Sequence, residues 1–377
     1  MNIEDFDNKA AAEALSDCEL LQAIAIDTNI YDGLKGFFEG RMLKQLEQFS
    51  RKEPVELLMP EVVYEETLRH AATRATESAR DLRKTLKDAG FGLGLARDVQ
   101  DRVLEVALGG LQADELAKSR FDSFIESTGT TVLSPASLVD AAELQRRYFE
   151  SEAPFSEAGD KKAEFPDAIA LLSLEGWADK HDKNVLVVSH DNDWKNFCAG
   201  SRRLHIIGDL AHAIGLFQHV TAASNFASSL EEWAETNGDW ARVESAVEDA
   251  LWGMSITVDA NSEYSFEDEV IDRVLLGAEV GDEATVISAG AEEWVIEVPL
   301  VLNLEIEVSF SFYLRDGIDK DCVAIGGTRV KEKRAIASSA ILTFWPLEDE
   351  GVPPELSDVE IMATSIYIDC DYVGPSI

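Results

Sequence analysis

The sequence predicts an α/β protein in which helices cover a central parallel sheet, followed by a smaller β-rich domain. In the first half of the chain, short apolar segments alternate with helical patterns, which is typical of a parallel sheet wrapped by helices. Two of these segments end close to aspartates: Ile24–Ile26 runs directly into Asp27, and Asn184–Val188 is followed by Ser189, His190 and the pair Asp191 and Asp193. From Ile296 to Leu314 an apolar residue stands at every second position, which is strict strand periodicity.

The strands of the parallel sheet are predicted where short apolar, β-branched runs end in polar residues. The helices between them are predicted from apolar residues at helical spacing, and Pro60 suits the start of the longest one. The predicted strands are 24–26, 56–59, 130–135, 184–188 and 204–207. The predicted helices are 30–49, 61–87, 95–109, 112–127, 137–149, 165–180 and 209–217.

The pattern changes after an acidic amphipathic helical stretch that contains three tryptophans. We therefore predict an N-terminal domain at 1–223, a helical connector at 224–254 and a β-rich domain at 255–377. The long alternating run is expected to bend or break near Pro299, because proline cannot donate to a strand ladder. Further strands of this domain are predicted at 255–259, 284–288, 322–325, 336–345 and 359–370.

The charge balance limits the partners that the surface can attract. The chain has 377 residues with 33 basic and 72 acidic side chains, so its formal net charge is −39. Such a surface repels nucleic acid and anionic membranes on average, so activity on a polyanion needs metal ions or a local basic track. The four cysteines are far apart, and no segment resembles a signal peptide or a membrane span. These features predict a cytoplasmic protein with reduced thiols.

One candidate basic track lies on the predicted helix 61–87. On a helical projection its basic residues fall within one arc beside the packing face, and in so acidic a chain they are candidates to bind phosphates. A solvated face that pairs with nearby acids is the alternative. The basic residues are Arg69, Arg80, Arg83, Lys84 and Lys87.

Acidic residues recur at the ends of the predicted strands and at the starts of the helices that follow. In a parallel sheet these positions share one edge, so the acids are expected to converge there. Clustered carboxylates favour a divalent cation such as Mg²⁺ or Mn²⁺, which could support metal-assisted phosphodiester hydrolysis. Each acid taken alone could instead cap a helix or lie on the surface. The acids are Asp27, Glu65, Glu66, Asp167, Asp191 and Asp193, and the neighbours that could orient them are Thr28, Asn29, Ser189 and Asn192.

Four motifs together resemble the PIN-domain nucleases over residues 20–215. They are IAIDTN at 24–29, LMPEVVYEE at 58–66, EFPDAIA at 164–170 and VVSHDNDW at 187–194. The resemblance implies a three-layer α/β/α fold and a Mg²⁺- or Mn²⁺-dependent endonuclease, usually acting on RNA. By position it implies metal-binding roles for Asp27, Glu66, Asp167 and Asp191, with Asp193 as a fifth. Trp194 stands where the family often has phenylalanine, a difference not expected to affect the metal.

We therefore predict a cytoplasmic, metal-dependent endoribonuclease, with RNA or another single-stranded nucleic acid as its substrate. A toxin-like or phage-defence role is implied by the resemblance alone. The β-rich domain is expected to bind a protein partner or to self-associate. Two alternatives stay open: an inactive PIN-like scaffold that serves as a binding module, and a metal phosphohydrolase acting on a small phosphate ester.

Overall fold

The chain divides into two units, Met1–Phe217 and Gln218–Ile377. A computed structural model describes residues 20–51, 54–155, 164–218, 221–236, 239–281, 283–315, 322–347, 353–362 and 365–375. Among the helices of these ranges, none has both the length and the apolar character needed to cross a bilayer.

The first unit is built on a five-stranded parallel sheet with the strand order β3-β2-β1-β4-β5. The chain extends the sheet from β1 to one side and then returns to the other side of β1 with β4, so the strand order reverses between β1 and β4. Ligands of open α/β sheets bind at the carboxyl ends of the strands at such a reversal. The strands are β1 (Leu21–Ile26), β2 (Glu56–Pro60), β3 (Thr131–Leu133), β4 (Asn184–Val188) and β5 (Leu204–Ile207).

Helices flank this sheet, so the predicted fold class is confirmed. One predicted helix, 30–49, is wrong in its extent: the first helix ends at Gly33, and Lys35 and Gly36 adopt positive φ angles that no helix accommodates. The helices are α1 (Thr28–Gly33), α2 (Arg41–Lys44), α3 (Glu61–Leu93), α4 (Arg97–Leu108), α5 (Ala113–Thr128), α6 (Ala141–Glu150), α7 (Phe165–His181), α8 (Asn192–Gly200) and α9 (Leu210–Gly215).

The longest helix, α3, has 33 residues and is therefore ~50 Å long at ~1.5 Å per residue. It extends six residues beyond the predicted end and stops at Gly94, whose positive φ suits a helix C-terminus. Only its first two-thirds contributes buried side chains, the last of which is Ala79. Residues 80–93 of α3 and the whole of α4 contain no buried residue. We call these two segments, 80–108, the arm.

The second unit contains a five-stranded antiparallel sheet, in which four strands follow the order β11-β10-β9-β7 and β8 also pairs with β9, and a separate parallel pair of β6 and β12. β9 and β10 pair over almost their full length. The strands are β6 (Ser255–Asn261), β7 (Ser265–Val280), β8 (Thr285–Ala289), β9 (Trp294–Arg315), β10 (Cys322–Trp345), β11 (Glu355–Ile361) and β12 (Ser365–Tyr372).

Several details of this unit differ from the sequence prediction. The segments 322–325 and 336–345 form one strand, 359–370 spans parts of two strands, and β7 was not predicted. β9 passes through Pro299 without a break. On one side of β9, Leu300 pairs with the end of β7 and Glu297 with the start of β8. Pro299 lies in the gap between these two partners, so its missing N–H interrupts neither ladder.

The helices predicted as a connector pack into the core of the second unit. They are α10 (Thr221–Ala227), α11 (Leu230–Thr236) and α12 (Trp240–Leu251). Trp233 and Val247 are buried against strand residues such as Phe344, and the ring centroids of Trp233 and Phe344 are 5.3 Å apart. The unit therefore begins at 218 rather than at 255, because the apolar faces of these helices cover the sheet.

Candidate active site

Two strand ends at the reversal of the sheet bring acidic residues together. Asp27 follows β1, and its backbone N–H donates to the carbonyl of Val188 at the end of β4, at 3.0 Å. Asp191 lies three residues beyond that carbonyl. Residues separated by more than 160 positions in the sequence thus become neighbours at one edge of the sheet.

Asp27 is buried, with 6% of its surface exposed. Its carboxylate accepts hydrogen bonds from the Thr28 N–H, from Asn29 Nδ2 and from Ser189 Oγ, each at 2.6 Å. Burial raises the pKa of Asp27 to about 7, and the charges of Asp167 and Asp191 raise it further against the lowering effect of the Ser189 and Thr28 hydrogen bonds. Three donors therefore fix the orientation of the carboxylate, although burial still favours its protonated form.

Ser189 connects Asp27 to Asp191. Its hydroxyl donates to Asp27 Oδ2, and its oxygen accepts the backbone N–H of Asp191 at 3.0 Å and Nδ2 of Asn29 at 3.1 Å. Three of the four residues predicted to orient the carboxylates, Thr28, Asn29 and Ser189, thus contact Asp27. The fourth, Asn192, is exposed and makes no side-chain hydrogen bond within the described part of the chain.

Asp191 is the N-cap of α8. Its Oδ1 accepts the backbone N–H groups of Asp193 at 2.6 Å and Trp194 at 3.3 Å. Asp27 likewise caps α1 through the N–H of Thr28. The capping alternative is therefore real for both residues, but it occupies only part of each carboxylate. Among described residues, nothing donates to Oδ2 of Asp191.

Trp194 contacts Asp167, a contact that the sequence did not indicate. The indole Nε1–H donates to Oδ1 of Asp167 at 2.8 Å, and the Trp194 side chain is 1% exposed. A phenylalanine could not make this bond, so the expectation that tryptophan here has no effect on the site is not supported. Burial raises the pKa of Asp167 to about 6, the Trp194 bond lowers it, and the charges of Asp191, Glu66 and Asp193 raise it.

Glu66, rather than Glu65, contacts Thr28, the residue after Asp27. Thr28 Oγ1 donates to Glu66 Oε2 at 3.1 Å, and Arg69 binds the other oxygen at 3.1 Å. Glu65 is exposed. Both glutamates line an open cleft of ≈ 490 Å³, together with Pro166 at the start of α7. The cleft opens the region between α3 and α7 to solvent.

Asp193 completes the set, with a neighbour whose role the sequence did not reveal. The pKa of Asp193 is raised by burial and by the charges of Asp191 and Glu164. Glu164 is buried at the start of α7, directly before Phe165 and Pro166. We call Asp27, Glu66, Asp167, Asp191 and Asp193 together the carboxylate edge.

The predicted basic track does not lie at the carboxylate edge. Only Arg69 is there, and it forms an ion pair with Glu66. Arg80 is ~21 Å and Lys87 ~31 Å from Glu66 along the helix axis at ~1.5 Å per residue. Lys84 is exposed and Arg83 lines a different cleft. The stripe was predicted from a helical projection, which shows angular position but not the distance along a long helix.

The oxygen atoms of the carboxylate edge are of the kind that Mg²⁺ and Mn²⁺ prefer as ligands. In the described ranges, no group of three or more His, Cys, Asp or Glu side chains is arranged so that it could hold a metal ion. Mg²⁺ often needs only one or two carboxylates, because it keeps several waters and also binds substrate phosphates. The donors fit such a water-rich site: they are hard oxygens, and those of Asp27 and Asp167 are desolvated and repel their acidic neighbours.

Comparison with known proteins adds one match. Residues 24–194, less than half of the chain, match a family model described as PIN domain. The resemblance seen in the four motifs is thus confirmed, and PIN domains as a class are nucleases. No curated protein and no solved structure matches the chain.

The raised pKa of Asp27 predicts how stability depends on pH without divalent ions. Its pKa is about 7 in the folded protein against 3.8 for an unperturbed aspartate, so the folded state binds the proton more tightly. The resulting stabilisation is fully present below about pH 4 and is lost as pH rises through about 7. In thermal melts with EDTA, Asp27→Asn should flatten this part of the pH profile, whereas Asp114→Asn, an exposed control, should not. Equal profiles for Asp27→Asn and the parent would contradict the assignment.

The Trp194 bond predicts a second effect. In Trp194→Phe, Asp167 no longer accepts a hydrogen bond that lowers its pKa, so functions that need ionised Asp167 should shift to higher pH. Mn²⁺ affinity below pH 7 should fall by roughly tenfold, the lower range for loss of a group that orients a metal ligand. Trp177→Phe is the control, since Trp177 is also buried but, in the described ranges, contacts no acid of the carboxylate edge. An equal loss of affinity in both variants would show an effect of packing alone.

Proposed function

We propose that the first unit is a Mg²⁺- or Mn²⁺-dependent endonuclease that hydrolyses RNA at the carboxylate edge. The observation that carries the proposal is the continuous contact network from Glu66 through Thr28, Asp27 and Ser189 to Asp191. It lies at the sheet reversal, where open α/β folds bind their ligands. The proposed activity agrees with that of the PIN domains, whose family model matches residues 24–194.

In this proposal Asp27, Asp167 and Asp191 supply direct ligands to the ion, and Glu66 and Asp193 act directly or through water. When bound, the divalent ion would lower the pKa of an attacking water and neutralise charge on the scissile phosphate. Without a cation, the carboxylate edge repels a phosphodiester, because its acids raise one another's pKa and the ion pair of Arg69 with Glu66 neutralises only one of them. The ion therefore makes this acidic edge compatible with a polyanionic substrate.

The chain's own residues fix the positions of the ligands. Thr28, Asn29 and Ser189 hold Asp27, the start of α8 holds Asp191, and Trp194 holds Asp167. Groups held in this way lose little further freedom when an ion or substrate binds, which is the advantage of a preorganised site. The open cleft beside Glu66 would give an RNA strand a path to these groups.

A binding module without catalysis is the second candidate. It is favoured by the net charge of −39 and by the lack of a three-acid metal group among the residues described. A small phosphate ester as substrate is the third candidate. Self-association or a protein partner of the second unit, a cytoplasmic location and a toxin-like or phage-defence role stay predictions of the sequence.

Substitution of the carboxylates tests the catalytic proposal. Asp27→Asn and Asp191→Asn should each reduce RNA cleavage in Mn²⁺ by at least about 100-fold, since each removes a charge that the reaction centre needs. Glu66→Gln should reduce it as well, while Asp114→Asn, at an exposed residue outside the cleft, should cleave like the parent. RNA, single-stranded DNA and a simple phosphodiester assayed side by side identify the substrate class. Full activity of Asp27→Asn would refute the proposal.

Metal titration separates the nuclease from the binding module. Calorimetry of the full-length protein should detect Mn²⁺ binding that weakens as pH falls below about 7, because protons compete for Asp27 and Asp167. Asp191→Asn should weaken this binding, and Glu65→Gln should leave it unchanged. A parent protein that binds no Mn²⁺ at neutral pH would favour the binding module.

A further inference from the structure

The arm contains a second cleft, of ≈ 610 Å³, between the last turns of α3 and the start of α4. Three basic side chains line it, Arg83 and Lys87 from α3 and Arg97 from α4, against one acidic side chain, Asp101. We call this the arm cleft. In a chain with more than twice as many acidic as basic residues, this is a local reversal of charge.

The basic groups of the arm cleft are available to a ligand. Arg83, Lys87 and Arg97 are exposed, and within the ranges that the structure describes none of them forms an ion pair or a side-chain hydrogen bond. Basic residues elsewhere in the first unit do pair, as Arg74 does with Asp32 and Arg120 with Glu39. Within the described ranges, the three basic side chains of the arm cleft are therefore not neutralised by residues of the protein itself.

An aromatic ring lies beside these cations. Phe91 lines the arm cleft and is 82% exposed, although burial of a phenylalanine ring is normally favourable. An exposed ring next to unpaired basic groups is the combination by which proteins bind single strands: bases stack on the ring while the cations contact phosphates. The chemistry of the cleft thus matches a single-stranded nucleic acid.

Gln100 and Gly90 define the side of the arm cleft where α4 meets the end of α3. Gln100 of α4 donates from Nε2 to the carbonyl of Leu95, at 2.8 Å, and its amide packs against Gly90 of α3. A Cβ at position 90 would lie 2.3 Å from Gln100 Nε2, so a side chain there would displace the Gln100 amide from this position. The hydrogen bond to Leu95 thus fixes the Gln100 side chain against the turn that connects α3 to α4.

We propose that the arm cleft is a remote binding site for single-stranded nucleic acid, with one base stacked on Phe91 and phosphates bound by Arg83, Lys87 and Arg97. It lies ~25–31 Å from Glu66 along α3, at ~1.5 Å per helical residue. At ~3.4 Å per stacked nucleotide, about seven to nine nucleotides span that distance. If the first unit is the proposed nuclease, on which this inference rests, the arm cleft holds the RNA substrate several nucleotides away from the scissile bond.

The lining of the arm cleft favours a strand over other anions. No residue that lines it is buried, so it cannot enclose a small ligand as deep pockets do. An acidic peptide would satisfy the three cations but would gain little from an exposed ring. A nucleic acid strand uses both the cations and the ring.

Binding of a fluorescent RNA strand of about 20 nucleotides, long enough at ~3.4 Å per nucleotide to reach beyond the arm cleft, tests the proposal. Anisotropy is measured with the full-length protein in EDTA, where the carboxylate edge repels phosphate. The triple variant Arg83→Gln/Lys87→Gln/Arg97→Gln should bind at least tenfold more weakly. Its slope of log affinity against log salt should be smaller by about 2, because each phosphate of a single strand that a cation neutralises adds ~0.7 to that slope.

Two matched controls separate this site from general charge and apolar effects. Arg102→Gln changes an exposed arginine of α4 outside the arm cleft and should bind like the parent. Phe91→Ala should weaken binding at least about fivefold, the lower range for loss of one stacked base. Leu93→Ala, which removes an exposed apolar side chain two residues away and outside the cleft, should not.

Any of three results would overturn the proposal. The first is that the parent fails to bind RNA at about 50 mM salt, a low concentration that favours phosphate binding, and the second is that the Arg102 variant and the triple variant lose affinity equally. The third result is that a poly-glutamate peptide displaces the RNA strand as efficiently as unlabelled RNA does. Cleavage assays keep the two proposals apart. A parent that cleaves RNA but whose binding is unaffected by the triple variant refutes the arm cleft alone. A parent that binds through the arm cleft and cleaves nothing refutes the nuclease alone.

Discussion

The first unit depends on holding like charges close together at one edge of a parallel sheet. Asp27 and Asp167 are desolvated, and each is destabilised by the charges of its acidic neighbours. Fixed donors offset this cost: a backbone N–H, an amide and a hydroxyl for Asp27, and an indole N–H for Asp167. Charge-assisted hydrogen bonds to carboxylates are among the stronger ones in proteins, so the side chains stay oriented although their mutual repulsion remains. That remaining repulsion is what a cation would relieve.

The parallel sheet makes this arrangement possible because it aligns strand ends from distant parts of the chain. β1 and β4 pair in register up to Ile26 and Val188, so the loops after them start side by side. Helix α3 is fixed to the same region by a second contact, in which Asp32 of α1 binds both His70, at 2.8 Å, and Arg74, at 2.6 Å. This contact places the first turns of α3, and with them Glu66, against the residues that follow β1.

Charge is unevenly distributed along α3. Its N-terminal part carries Glu66 beside the other acids, and its C-terminal part carries Arg83 and Lys87, which pair with no residue in the described ranges. An acidic edge alone would repel a nucleic acid, and a basic surface alone would bind it without chemistry. A rigid helix of ~50 Å, at ~1.5 Å per residue, separates the two so that neither neutralises the other. The position of the cations far from the acids is therefore consistent with a role in holding the strand.

The sequence by itself determined the strands that end close to aspartates, the α/β class and the approximate extent of α3. These features depend on the local spacing of apolar and polar residues, which can be read directly from the sequence. Only the tertiary structure decided that Ser189 links Asp27 to Asp191, that Trp194 binds Asp167, that the cations of α3 lie away from the acids, and that α10, α11 and α12 belong to the second unit. The physical reason is that hydrogen-bond partners and packing surfaces from distant segments depend on three-dimensional distance, which no one-dimensional pattern contains.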